Sequence, residues 1–591
     1  MRRISGRGWL TPGGVVLAVA MAGQVSARAA EPAPVPARAG MVVTAQRLAS
    51  QVGAQVLAQG GNAVDAAVAV GYALAVTYPA AGNLGGGGFM TVRMADGRAA
   101  FLDFREKAPL AATATMFLDA HGAPDRQKSW ASWLAVGVPG TPAGLEAARR
   151  RFGTESRQAL MAPAIALARD GFRLTPADLG LFALLRDRLA ADPATARIFL
   201  PDGALPAPGA IFRQPDLAAS LSRISAEGPA RAFYDGPIGA AMVAASGRNG
   251  GILAKKDFTD YRVRWLAPVR CSYRGFAIMS APPPSSGGVT LCEALTILAG
   301  YDLGAMGFHS AAEIHYLAEA MRRAFHDRNL RLGDPDFVHN PVAELTSPAY
   351  AAHLRAQIAP DKATPSSALG ADPVSPAREQ PQTTQYSIVD RYGNAVSVTY
   401  TLNGFFGIGR VSPGTGILMN NEMDDFAAKP GSANMFGLVQ GDANAIAPGK
   451  TPLSSMTPTI MTRDGKLALV TGSPGGPRII TTVLQDIVNM VDFGMNVAEA
   501  IDAPRIHEQW LPDVIYTEPY AVSADTAAKL AEEGYRLVPG GLWSNAEAIA
   551  VGAPTLTPAR PAAGIAPYLP GATLFGASDV RGAPGDAAPV N

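Results

Sequence analysis

Cysteine is almost missing from this 591-residue chain, which has only Cys271 and Cys292, and histidine occurs seven times. That scarcity rules out a disulfide-stapled framework. The two cysteines are as well explained by a pair of buried thiols as by a bridge, because spacing alone does not bring them together. No HExxH, CxxC or phosphate-binding P-loop is present. Charge of one sign is lacking too: 50 basic against 49 acidic residues leave +1, so neither nucleic acid nor an anionic membrane is expected as a partner. The run from Gly13 to Gly23 is too short to span a bilayer, and no later stretch looks transmembrane. Glycine and proline, 63 and 48 residues, make up roughly a fifth of the chain, below the level of low-complexity sequence.

What is present begins with a leader. Arg2, Arg3 and Arg7 precede the apolar run, and Ala27-Arg28-Ala29 supplies a small-x-small site before a proline-rich EPAPVPA. This predicts a signal peptide over 1–30 and a periplasmic or secreted product with no membrane anchor. Helical character covers Ala49 to Ala58 and Ala63 to Val76, separated at Gly60-Gly61-Asn62. Four glycines, Gly85 to Gly88, lead into a hairpin that turns at Asp96-Gly97 and ends near Arg105. Residues 130–260 read mainly as helices. His315 and Glu319, four apart in a helical run, read as a solvated face rather than a metal pair. From Pro360 to Gln382 the composition is that of a linker. It stops at Thr383, where a second hairpin begins, turning near Gly393-Asn394. A third turns at Asp464-Gly465 and runs into Ser473-Pro474-Gly475-Gly476-Pro477 and an amphipathic helix from Arg478 to Val491, for which Pro477 suits the first position. Strand-rich segments with helices outside them predict an α/β layered fold.

The junction at Gln382-Thr383 has chemical potential. Attack of the Thr383 hydroxyl on the Gln382 carbonyl converts the peptide into an ester that water opens. The new α-amine, with an ordinary pKa of about 7.7–8.0, is then a base for its own hydroxyl.

Eleven segments carry a resemblance that decides how to read this junction: GGNAVDAAVAVGYALAVTYPAAGNLGGGGFM, DFREKAP, PPPSSGG, LGDPDF, QTTQYSIVD, TYTLN, NNEMDDF, PLSSMTPTI, GSPGGPRIITTVLQ, DAPRIHEQWLPD and GASD. In their order and spacing, from about Met41 to Arg581, the chain resembles the γ-glutamyltransferase (γ-glutamyltranspeptidase) family. The resemblance implies an αββα N-terminal-nucleophile hydrolase sandwich made from one precursor, with a large subunit over 31–382 and a small subunit over 383–591 that remain together as a heterodimer. It implies Thr383 as nucleophile, Thr401 as its hydrogen-bond partner, and Gly475 and Gly476 as the oxyanion hole. It further implies Arg105, Ser454 and Ser455 as holders of the substrate α-carboxylate, and Asn403, Glu422 and Asp425 as holders of the α-ammonium. The donor would be glutathione or a related γ-glutamyl compound, the acceptor water, an amino acid or a peptide, with neither cofactor nor metal required.

The chain departs from the family pattern at Gln385, where many relatives have histidine, and at Phe436, where bacterial relatives often have tyrosine. Glu422 stands where some have glutamine. A cephalosporin or glutaryl acylase on the same scaffold is the nearest alternative. A non-catalytic γ-glutamyl-binding protein is the alternative of another class.

Overall fold

Alternation of side chains explains the two central layers. In the strand Gly40–Thr44, Met41 and Val43 pack on one face and Val42 on the other, the period-two pattern of a sheet buried on both sides. In the computed structural model, which describes residues 32–370, 382–557, 570–582 and 585–591 (the backbone alone for Gln382), two seven-stranded antiparallel sheets stack face to face. The strands used below are β1 (Val35–Ala37), β2 (Gly40–Thr44), β3 (Gly87–Arg93), β4 (Ala99–Asp103), β5 (Arg264–Leu266), β6 (Val269–Tyr273), β7 (Phe276–Ser280), β8 (Gln382–Asp390), β9 (Ala395–Gly404), β10 (Thr459–Arg463), β11 (Lys466–Thr471), β12 (Glu547–Val551), β13 (Leu574–Ser578) and β14 (Asp586–Val590). The first sheet runs β14-β2-β8-β9-β3-β4-β5 and the second β1-β13-β12-β11-β10-β7-β6. Met41, Val43, Val389, Ile460, Val470 and Ile549 fill the space between them.

Helices cover both outer faces. Against the first sheet lie α1 (Arg47–Ala58) and α2 (Ala63–Thr77); every residue of α2 is buried, and an Asn62–Asp65 capping box starts it. Against the second lie α3 (Gly287–Leu298), α4 (Ala311–Arg331) and α5 (Arg478–Val491). The four layers are the expected αββα sandwich. Residues 33–591 form one compact unit.

All three expected hairpins form. At the third, Asp464 and Gly465 both take positive φ, 50° and 75°, which matches strand twist. The fifth helix starts at Arg478, with Pro477 one position ahead of it.

Cys271 and Cys292, for which thiols and a bridge explained the sequence equally well, form a disulfide. Two expectations differ from the structure. His315 and Glu319 are buried, not solvated: His315 bonds the Ala359 carbonyl and Tyr535 hydroxyl, while Glu319 pairs with Arg323 and accepts from Thr364. That network also corrects the linker. Residues 360–370 are tied down, with Ser366 held by Arg322, Asp513 and the Trp510 carbonyl. The rest of the expected linker, 371–381, and the expected signal peptide lie outside the described residues.

Candidate active site

Strand β8 occupies the third place in its seven-stranded sheet and opens irregularly. Gln382 pairs with Gly404 and Thr384 with Tyr400, so Thr383 alone faces Thr401, Leu402 and Asn403. Thr383 takes φ 70° and Asn403 φ 72°, a left-handed conformation that a β-branched residue strongly disfavours. The Thr383 hydroxyl donates to Thr401 Oγ1 at 3.1 Å. The Asn403 N–H donates to the same oxygen at 2.8 Å, and the Thr401 hydroxyl donates to the Asn403 carbonyl at 3.3 Å. Asn83 fixes Thr401 from the other side through its carbonyl, at 2.9 Å. The glycine run permits this: a methyl group on Gly86 would lie 2.0 Å from the Thr401 carbonyl oxygen.

Arg105 follows β4, its N–H donating to Asp103 Oδ1 at 2.9 Å. Its guanidinium is buried between two acids of one short turn, Glu422–Asp425. Nη1 lies 2.6 Å from Glu422 Oε1 as an ionic contact without hydrogen-bond alignment, and Nη2 donates to Asp425. Burial alone would lower the arginine pKa, but the Glu422 and Asp425 charges outweigh it and the net shift is upward. Glu422 is displaced well above the ordinary carboxylate range, first by burial and then by the acids around it, against the pull of Arg105. Burial likewise pushes Glu106 up to about 7, and Glu422 is the side chain placed to hydrogen-bond it. Two carboxyls this close in a dry site hold one proton between them.

Ser454 and Ser455 form the opposite wall, placed by the PPPSSGG segment. The Ser454 N–H donates to the Pro284 carbonyl at 2.9 Å. The Ser286 N–H and hydroxyl both donate to the Ser454 carbonyl, and the Ser285 hydroxyl donates to that of Met456 at 2.6 Å.

Gly475 and Gly476 turn the chain from β11 into α5 with φ of 129° and 56°. Neither N–H donates to another group among the described residues, and both sit at the N-terminal end of a 14-residue helix, where the backbone favours negative charge.

One cavity collects nine of the ten residues singled out by sequence; Gly475 lies just outside its lining. Phe436 also lines it, against Gly476, and its carbonyl accepts from Gln509. Gln385 does not reach it. That amide is spent on Ser397, Thr399 and the Tyr386 carbonyl between the sheets. Sequence reasoning missed Arg328, which also lines the cavity. In α4 it follows Met321, Ala324 and Phe325 at the spacing of an apolar stripe, and a charge on that stripe was the available signal.

The arrangement offers a hydroxyl nucleophile, unused backbone donors, and a buried cluster of both signs suited to a zwitterion. Comparison with known proteins agrees with this chemistry. A family model described as gamma-glutamyltranspeptidase matches residues 49–568. The chain belongs to the γ-glutamyltranspeptidase family. Within it, the chain is 53% identical to a glutathione hydrolase proenzyme of Pseudomonas sp. strain A14, covering 89% of this chain and 92% of that one. It is 47% identical to the glutathione hydrolase proenzyme of Escherichia coli K12, over 93% and 91%. Among solved structures, cephalosporin acylase from Bacillus halodurans superposes with a TM-score of 0.80 at 27% identity, over 96% of this chain and 99% of that one. Helicobacter pylori γ-glutamyltranspeptidase gives 0.54 at 42% identity, over 57% and 95%.

Proposed function

We propose that this γ-glutamyltranspeptidase family member first cuts its own chain and then transfers γ-glutamyl groups from glutathione or related donors to water, amino acids or peptides. The observation that carries the reading is the shared cavity: the Thr383 hydroxyl opens onto the same space as Arg105, Glu422, Asp425 and two serine hydroxyls. Thr383 Oγ attacks the Gln382 carbonyl, its peptide nitrogen takes up the hydroxyl proton, and the resulting ester is opened by water. Two pieces result, ending at Gln382 and beginning at Thr383.

The freed α-amine then accepts the Thr383 proton as the hydroxyl attacks the γ-carbonyl of the donor. The Gly475 and Gly476 N–H groups receive the oxygen that gains charge, and the donor's amine leaves with the proton. Water or an amine resolves the γ-glutamyl ester. Arg105 is ion-paired with Glu422 and Asp425. A zwitterion replaces those contacts pairwise, its α-carboxylate on Arg105 and the serines, its α-ammonium on Asn403 and the two acids. No step calls for a metal or organic cofactor.

A second reading has a specific observation behind it, the 40% identity to an acylase ACY 1 proenzyme of Pseudomonas sp. strain V22 together with the acylase superposition. A glutaryl side chain has no ammonium, and Glu422 and Asp425 would then face none. Hydrolysis of γ-glutamyl-p-nitroanilide against glutaryl-p-nitroanilide separates the two. We expect a clear preference for the γ-glutamyl compound; preference for the glutaryl compound would overturn the assignment.

A periplasmic or secreted setting is supported by the leader sequence and by the Cys271–Cys292 disulfide, which suits an oxidising compartment. No helix among the described residues is long and apolar enough to cross a membrane.

A further inference from the structure

Arg328 stands out among the charges of the cavity because no carboxylate touches it. Arg105 is neutralised by two acids, whereas Arg328, equally buried, has no ion pair among the described residues. Its bonds go to neutral groups: Nε to Ser286 Oγ at 3.0 Å, Nη1 to Asn329 Oδ1 at 2.7 Å and Gln440 Oε1 at 3.3 Å, and Nη2 to Ser455 Oγ at 2.9 Å. Four bonds from five N–H groups leave one Nη2 hydrogen unused. Burial lowers its pKa to about 10, with Asp425 opposing the shift, so it stays charged at neutral pH. Burying a cation without an ion partner is costly, and hydrogen bonds to neutral groups offset only part of that cost.

Ser455 shows where that charge is delivered. Its oxygen accepts from Arg328, and its hydroxyl hydrogen has no acceptor among the described residues. Ser454 is in the same condition, its oxygen accepting the Met456 N–H at 3.1 Å. Both hydroxyls are left with a donor to offer, and a guanidinium bonded behind one of them strengthens that donor.

We propose that Arg328 is a second cation for the α-carboxylate of the γ-glutamyl donor, acting through Ser455 as a positioning and specificity residue. The inference rests on the γ-glutamyl reading above. It separates two duties: Arg105 is in contact with the ammonium-binding acids, while Arg328 feels Asp425 only through space and is bonded to Ser455 on the carboxylate side. Loss of Arg328 should therefore weaken ligands that have an α-carboxylate and spare those that lack one.

The test uses the full-length, self-processed enzyme and two ligands, L-glutamate and 4-aminobutyrate, the same skeleton without the α-carboxylate. Each is measured as a competitive inhibitor of γ-glutamyl-p-nitroanilide hydrolysis. Arg328→Gln should raise the inhibition constant of L-glutamate roughly 10–100-fold, the scale of one hydrogen bond to a charged group, and that of 4-aminobutyrate by no more than about twofold. Arg328→Lys, which keeps the charge, should fall between wild type and Arg328→Gln for L-glutamate. Equal losses for both ligands, the mark of a merely structural role, or no change for either would overturn the proposal. If Arg328→Gln stays uncut, the same ratio is read in Arg328→Lys, where equal shifts again overturn it. If wild type does not hydrolyse γ-glutamyl-p-nitroanilide, the functional reading fails instead, and calorimetric titration of the two ligands into wild type and variants still decides whether Arg328 discriminates the carboxylate.

Discussion

Thr383 holds a β-branched side chain at φ 70°, a conformation that costs on the order of 1–3 kcal/mol and persists only where the surroundings impose it. The imposition is visible, since Thr383 is squeezed into a strand opening opposite three residues of β9. Thr383→Ala removes the hydroxyl and should leave a single uncut chain without turnover, read on a denaturing gel beside a p-nitroanilide assay. Sequence made Thr383 legible through its neighbours, and the same holds for Arg105 and the 422–425 acids. The mutual neutralisation of those acids by Arg105 was not legible, because it depends on a contact 320 residues apart. Glu106 was passed over for a similar reason: its pKa of about 7, against an ordinary 4.5, comes from burial that only the fold creates. For an acid with a raised folded-state pKa, the stabilising protonated form is fully present below the unfolded value and is lost as pH rises through the folded one. Glu106→Gln should therefore gain melting temperature relative to wild type between about pH 5 and about pH 8, as checked by thermal melts at both. An unchanged difference across that range would contradict the shared-proton assignment.

At the scale of elements, hairpins and amphipathic helices were readable where local chemistry dictated them. Asp464-Gly465 demanded a tight turn, and α5 carries its apolar residues on one face. The C-terminal β12 to β14 were not readable, because their pairing partners lie far away in sequence; the β6–β7 hairpin was local and was missed, although Arg274-Gly275 turns it with φ of 49° and 86°. His315 and Glu319 were misread because helical spacing says which residues share a face, not whether that face meets solvent. The β11–α5 turn makes the sharpest prediction at this scale. Gly476 has φ 56°, and a methyl group there would come within 2.9 Å of the Phe436 ring. Gly476→Ala should lower kcat by at least about tenfold while leaving the expected subunits associated, because it would move the proposed oxyanion donor by a fraction of an ångström. Steady-state kinetics and a native gel check both halves.

At the scale of the whole molecule, the proposed cut would run through both sheets without separating them. In the first sheet, β8, β9 and β14 from after Thr383 interleave with β2, β3, β4 and β5 from before it; in the second, β10 to β13 interleave with β1, β6 and β7. The two pieces should co-elute in native chromatography and part only in denaturant. The disulfide closes a loop of sequence separation 21, for which chain entropy gives about 3 kcal/mol. Cys271→Ser/Cys292→Ser should therefore lower the melting temperature without moving the cut. The central claim is that Thr383 becomes a free N-terminal nucleophile, and N-terminal sequencing of the smaller band from purified protein tests it most directly. The expected sequence is Thr-Thr-Gln-Tyr, starting at Thr383; a single intact chain, or a small fragment that begins at any other residue, would contradict this.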